Sequence, residues 1–489
     1  MSDPVKKNSG KAYIAEPVHD EEISGFSQKY VHAVAASPER MELPDFARGS
    51  ILRVILWMGL PSVIGFVAMT IYDLADMFWV AKLGSQHVAA IAIFESFYMV
   101  LAFTNEIAGL GSVAVISRRW GEGDAVRAAA AIKETFILKA VCAVISGAFG
   151  LAFLRPLMEL MGARGEVIEL GVQYGRVHML GMIVYFMSYT VFTFLRCIEA
   201  PRQAMAVMLM GSLINLALDP FLIFGIGPFP KMGLVGAAVA SVISYALTIL
   251  FGIYILYSGT APLKFRWRTG LPVQMRSMLE MLRIGAPGGV NQFSFTLSRA
   301  IVLPFIAQFG TIVVAAYGMT LRVSQLAILV IWGLGMGVSP LIGNLMGAGL
   351  KDRVRETARH SIILSAVLMI VMAIFIFVFA PQIVIAFFQD AASLAVSVKL
   401  LRIYALALPF IGVWIIVESL FHGTGDNIPP MLISIITSWA IEVPLILFFT
   451  KILHCDQSAI WWCRVFYAFS GAGISVYLIK RGKWMLKEV

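Results

Sequence analysis

The chain has 489 residues, of which 59% are hydrophobic and only 14% charged, with a formal net charge of +9 and a mean hydropathy of +0.83. A soluble globular surface of this size needs far more charge, so the composition indicates a polytopic membrane protein and excludes a soluble domain. The basic excess is spread over short loops between apolar runs, which excludes nucleic acid as its partner.

The first fifty residues mix Lys6, Lys7, Lys11 and Lys29 with Asp20, Glu21 and Glu22 and lack the apolar core of a signal peptide, so residues 1–50 are expected to be a polar cytoplasmic tail. Twelve apolar runs follow, each long enough for the ~20 helical residues that a hydrocarbon core requires. The first half holds spans at 51–80, 87–116, 128–153, 166–194, 201–225 and 233–258. The second holds spans at 277–308, 312–345, 355–380, 392–421, 429–453 and 457–479. Continuous apolar runs in place of short alternating strands exclude a β-barrel.

Arg118, Arg119 and Arg127 follow span 2, Arg196 and Arg202 follow span 4, Lys264, Arg266, Arg268 and Arg276 follow span 6, and Lys351, Arg353, Arg355 and Arg359 follow span 8. By the positive-inside rule both termini are expected in the cytoplasm, with the protein multi-pass in the cell (inner) membrane. Cys142, Cys197, Cys455 and Cys463 are too scattered for a disulfide framework or a metal site and read as packing residues.

An ungapped offset of 226 residues brings Gly59 and Pro61 onto Gly285 and Pro287, Gly109, Gly111, Gly121 and Gly123 onto Gly335, Gly337, Gly347 and Gly349, and Arg127 onto Arg353. The chain therefore contains a repeat. With six spans per copy the copies run the same way, related by an axis along the membrane normal, and the cleft between them is the expected substrate path. The expected architecture is an all-α polytopic membrane protein: an N-lobe at 51–259, a cytoplasmic inter-lobe loop at 260–276, a C-lobe at 277–481 and a cytoplasmic tail at 482–489.

Several polar residues lie inside the spans. Asp73 and Asp76 in span 1 share a helix face, as do Asn215 and Asp219 in span 5, where Pro220 is expected to kink the helix. Tyr174 of span 4 and Ser241 of span 6 offer hydroxyls. Their repeat equivalents are not acidic: Asp73 falls on Arg299, Asp76 on Val302, Asn215 on Ile441 and Asp219 on Leu445. The acidic set thus belongs to a task of the first lobe, and its chemistry suits a proton shared between acids or a small hard cation held by Asp76, Asn215 and Asp219, sodium being the metal in view. The competing expectation is a structural ion pair with Lys133 or Lys139 of span 3. Glu95 and Glu106 of span 2 have no role assigned by pattern. In the second lobe, Arg299 is expected to pair with Glu418 or Glu442. Met69, Met182 and Met208, with Asn291, Gln292 and Arg299, are the candidate lining of a substrate cavity. No HExxH, GxSxG or phosphate-cradling loop occurs, so neither an enzyme nor an ATP-driven pump has a foothold, and energy must come from an ion gradient.

LPSVIGFVAMTIYDLADMFWVAKLG, GLGSVAVISRRWGEGDAVRAAA with its counterpart GMGVSPLIGNLMGAGLKDRVRETA, and INLALDPFLIFG followed by GLVGAAVASVIS resemble the multidrug and toxic compound extrusion (MATE) transporters across residues 51–480. The resemblance implies twelve helices in two lobes and export of amphipathic, often cationic small molecules against inward protons or sodium, with no cofactor. The expected surroundings are small-molecule substrates and the lipid bilayer, for a monomer. In the DinF-like branch the coupling aspartate of span 1 falls on Asp76, the tyrosine on Tyr174 and the span 5 pair on Asn215 and Asp219. Ser241 replaces a threonine, and Asp73 stands where asparagine is usual, so that it is expected to add a proton-binding carboxylate to the coupling set. NorM-like members carry an essential acid in span 7, where this chain has Asn291 and Arg299. LRCIEAPRQAM lacks the family's Gly-Asp, which GTGDNIPPM retains, and this puts the geometry of that loop in question. A flippase for a lipid-linked or polysaccharide precursor, from the same superfamily, is the alternative; its cavity would present several arginines.

Overall fold

The computed structural model describes residues 49–263 and 273–487. Nearly all of the expected N-terminal tail and the centre of the inter-lobe loop lie outside the described residues. The described chain is helical throughout. Ten helices are long and apolar enough to cross a membrane, and two bent helix pairs bring the number to twelve.

The bent pairs are spans 4 and 10. Span 4 is Glu166–Leu180 and Met182–Cys197, turned by 52° at Gly181; span 10 is Ala391–Ala405 and Leu408–Thr424, turned by 45°. The breaks fall at equivalent points of the repeat. In span 10, Pro409 opens the second segment and has no N–H to extend the first. Span 11, Ile428–Ile452, is widened to π-helix at Ile436–Glu442 and Phe448–Ile452, on either side of Pro444. Proline removes one backbone bond and crowds the preceding turn, and the wider turn absorbs both effects.

The lobes interlock at one end. Ile51, Ile55 and Met58, at the start of span 1, pack in the core of spans 8, 9 and 10, while Met278, Met281 and Ile284, at the start of span 7, pack in the core of spans 2 to 5. Each lobe thus inserts the beginning of its first helix into the other. Both described chain ends lie here: Arg353 donates to the Gly49 carbonyl at 2.7 Å, and Arg118 to the Lys487 carbonyl at 2.8 Å.

The ends of spans 2 and 8 meet backbone to backbone. A Cβ at Gly121 would lie 2.0 Å from the Asn344 carbonyl oxygen, and one at Gly347 would lie 2.1 Å from that of Arg118. The offset of 226 exchanges these two contacts. It also carries Ser117 onto Gly343, and these two touch each other, so the pseudo-two-fold axis passes between them. Close backbone approach through small residues is how helices associate in a bilayer, where burial of apolar surface supplies little force.

Glu199, in the loop after span 4, sits on this seam. Its φ of 60° is left-handed, as is the 77° of its repeat equivalent Gly425, so the loop keeps the turn without the glycine. Its carboxylate accepts from Trp120 Nε1 at 3.1 Å and from Asn344 Nδ2 of the other lobe at 3.4 Å. Burial pushes the carboxyl up to about 7, against the opposing effect of the Trp120 bond.

In the second lobe, Glu442 is paired with Arg464 of span 12, both almost fully buried, and also accepts from Ser298 Oγ at 3.2 Å.

Two outcomes test this packing. Gly121→Val should force the seam apart and raise, several-fold, the rate at which a cysteine at position 117 reacts with maleimide, in a background lacking the four native cysteines. Arg464→Met should lower stability by about 3–5 kcal/mol by leaving Glu442 charged and unpaired, and adding Glu442→Gln should recover most of the loss, as read from thermal unfolding in detergent.

Candidate functional site

Span 5 holds Asn215 and Asp219 one turn apart, with 2% and 0% of their surfaces exposed, facing Ser241 of span 6. With the amide turned to suit its neighbours, the Asn215 nitrogen donates to Asp219 Oδ2 at 2.9 Å and its oxygen accepts from the Ser241 N–H and hydroxyl, each at 3.2 Å. One carboxylate oxygen is thereby satisfied. The other, Oδ1 of Asp219, is buried and without a hydrogen bond, and so is Oδ1 of Asp76 in span 1. Asp76 lies within electrostatic reach of Asp219, and Tyr174 within reach of both. The structure therefore brings Asp76, Asn215, Asp219, Tyr174 and Ser241 into one cluster.

Asp73 is exposed, one turn from Asp76, within electrostatic reach of Tyr72, Tyr189 and Tyr245. Glu95 of span 2 adds a fourth carboxylate within reach of Asp73, Asp76 and Tyr174. None of the ion pairs among the described residues involves Asp73, Asp76, Glu95 or Asp219. Lys139, one of the two lysines expected as a partner, is buried instead beside Arg196, within electrostatic reach of the exposed Glu106.

An aromatic shell surrounds the acids. His178 stacks on Tyr185 at 5.2 Å and tilts against Tyr174 at 4.4 Å, Tyr185 meets Tyr245 at 4.8 Å, and the hydroxyls of Tyr245 and Tyr72 are 3.3 Å apart. Sequence reasoning missed this shell. His178 was readable as one turn beyond Tyr174 on the same face; the tyrosines come from spans 1, 4 and 6 and share no local pattern.

The candidate lining residues separate. Met69 and Met208 line a small pocket inside the first lobe together with Tyr72, Asn215 and Tyr245. Met182 is wholly buried in the first-lobe core, where a Cβ on Gly147 of span 3 would lie 3.6 Å from it, and is a packing residue. Asn291 donates to Glu418, which His422 Nε2 also approaches at 3.8 Å. Gln292 is exposed.

Arg299 pairs with neither glutamate, contrary to expectation. Glu442 is taken by Arg464 and Glu418 by Asn291, and the Arg299 guanidinium lies over the Phe295 ring at 4.3 Å with its Nε buried and unpartnered. Arg464, in the run WWCRVFY, outcompetes it because spans 11 and 12 pack directly on each other around Glu442.

Chemically, the first lobe gathers carboxylates, an amide and hydroxyls that can take up a proton or a small cation, inside a wall of aromatic rings. In the second lobe Glu442 is paired with a buried guanidinium, and Glu418 accepts from an amide.

The sequence profile of the MatE family matches residues 61–221 and again residues 287–448, starts that are separated by the repeat offset. "Probable multidrug resistance protein YoeA" of Bacillus subtilis is 28% identical over 459 residues, covering 93% of this chain and 98% of the relative. An "FAD transporter" of Shewanella oneidensis is 27% identical, covering 73% and 78%. Among solved structures, an outward-facing multidrug resistance MATE transporter superimposes with a TM-score of 0.83 at 24% identity, covering 91% of this chain and 98% of that one. A transporter from Pyrococcus furiosus, described as having a binding pocket of reverse polarity, does so with a TM-score of 0.83 at 24% identity, covering 92% and 99%. With its family profile matched once in each half and these relatives spanning most of its length, the chain belongs to the MatE family of multidrug efflux transporters and is not an enzyme.

Proposed function

We propose that the protein is a secondary antiporter that exports amphipathic small molecules, including organic cations, in exchange for protons or sodium ions entering through the first lobe. The observation that carries this reading is the hydrogen bonding of Asp219 to Asn215, itself held by Ser241, within electrostatic reach of Asp76, with one oxygen of each aspartate buried and accepting no hydrogen bond. A buried, unpaired carboxylate in the bilayer is costly, and proton or cation uptake from the outside relieves that cost. Lobe movement follows from the change in charge.

The basic loops support placing the interlocked end and both termini in the cytoplasm. On that reading the lobes meet on the inside. The protein is read as a monomer of the cell membrane. A flippase reading is weaker, because its cavity would present several arginines to a phosphate and the buried Arg464 of the second lobe is already taken by Glu442.

In liposomes with one ion gradient imposed at a time, Asp219→Asn and Asp76→Asn should each abolish concentrative efflux while the purified proteins remain folded, since an amide neither exchanges a proton nor supplies the charge that holds a cation. Normal efflux by either variant would remove that residue from the coupling site. Tyr174→Phe should slow coupled efflux by about tenfold, the equivalent of one hydrogen bond that the hydroxyl would make to a charged carboxylate during the cycle. An unchanged rate would leave Tyr174 as a packing residue.

A further inference from the structure

The unassigned charges of the two lobes fall at equivalent places. Asp73 and Arg299 are separated by the repeat offset of 226, and that offset coincides with the pseudo-two-fold relation seen at Gly121, Gly347 and the Ser117–Gly343 contact. The two residues therefore stand at the same depth on spans 1 and 7, on faces related across the axis. The span 7 face is polar and accessible: Gln292 and Thr296 are exposed and Arg299 is half-exposed, at spacings of four and three residues. Asp73 is exposed on span 1. Charged faces of this kind turn to a water-filled cleft, because a charge against lipid costs about 2.5–3.5 kcal/mol.

Their surroundings differ in chemistry. Asp73 lies in the field of Tyr72, Tyr189, Tyr245 and Glu95, an acid among aromatic rings that suits an organic ammonium. Arg299 rests on Phe295 and has no acid paired with it among the described residues; Glu442 is neutralised by Arg464, and Glu418 is bonded to Asn291 and faced by His422. Its planar fork suits a carboxylate or phosphate.

We propose that Asp73 and Arg299 form the two poles of one substrate site, so that the preferred ligands are amphoteric: an apolar body carrying an organic cation, held at Asp73, and an anionic group, held at Arg299. This rests on the export reading and narrows its substrate class. The proposal concerns ligand binding, which is read without an ion gradient.

The test compares rhodamine B, a zwitterion with a benzoate, with its ethyl ester, the matched cation. Binding is measured by fluorescence anisotropy on purified full-length protein at a pH where the benzoate is ionised. The wild type should bind rhodamine B more tightly than the ester. Arg299→Gln should weaken rhodamine B about tenfold and the ester less than twofold, and Arg299→Lys should recover part of the difference. Asp73→Asn should weaken both dyes by a similar factor, since both carry the cation. Tighter binding of the ester by the wild type, an equal effect of Arg299→Gln on the two dyes, or no binding of either dye by folded wild type would each overturn the proposal. Because the readout is an equilibrium without a gradient, its failure leaves ion coupling standing. Loss of coupling in Asp219→Asn leaves the dye preference to be scored independently.

Discussion

The backbone contact between the ends of spans 2 and 8 is the constraint on which the rest of the structure depends. Only glycine at 121 and 347 lets two peptide planes from different lobes approach so closely, and the contact is made twice because the chain is written twice. Beside it the first turns of spans 1 and 7 pack in the opposite lobe, as Ile55 and Met281 do, and Gly111 and Gly285 make equally close backbone approaches there. The lobes are thus hinged at one end, and the polar residues farther along spans 1 and 7 inherit their depth and facing from that hinge.

The lobes divide the chemistry unequally. Buried charges in a membrane survive when paired, and the second lobe follows that rule: Glu442 has Arg464 and Ser298, and Glu418 has Asn291. The first lobe departs from it, with Asp76 and Asp219 each keeping an unsatisfied oxygen. Exchange of the acids for apolar residues at the equivalent positions, Val302 and Leu445, shows that the fold itself does not need them. What sets the first lobe apart is that its unsatisfied buried groups include carboxylates.

Composition and periodicity made the membrane class, the helical architecture and the repeat legible, because apolar length and a constant offset are properties of the chain itself. Asn215, Asp219 and Ser241 were legible as polar groups out of place in apolar runs. The partner of Glu442 was not. Arg464 lies in a span whose sequence gives no hint of direction, and its pairing depends on how spans 11 and 12 pack, a relation between helices that no single helix encodes. The same limit applies to Met182, whose side chain is as apolar as that of Met69 but lies against span 3 instead of the pocket. The bends of spans 4 and 10 were hidden for another reason: each interruption is only one or two residues long, too short to break an apolar run.

Glu199 occupies a turn that glycine would take more cheaply, since a left-handed conformation costs a residue with a Cβ roughly 1–2 kcal/mol. What the substitution adds is a carboxyl at the joint itself, raised from an ordinary 4.5 to about 7 by burial. If the lobes part there, water returns and the group reverts towards its ordinary value, releasing a proton. The closed joint therefore binds protons more tightly than the open one. By linkage its advantage is complete below about 4.5 and is lost as pH rises through about 7. Closure of this joint is thus linked to proton uptake at Glu199, apart from the acids of the first lobe.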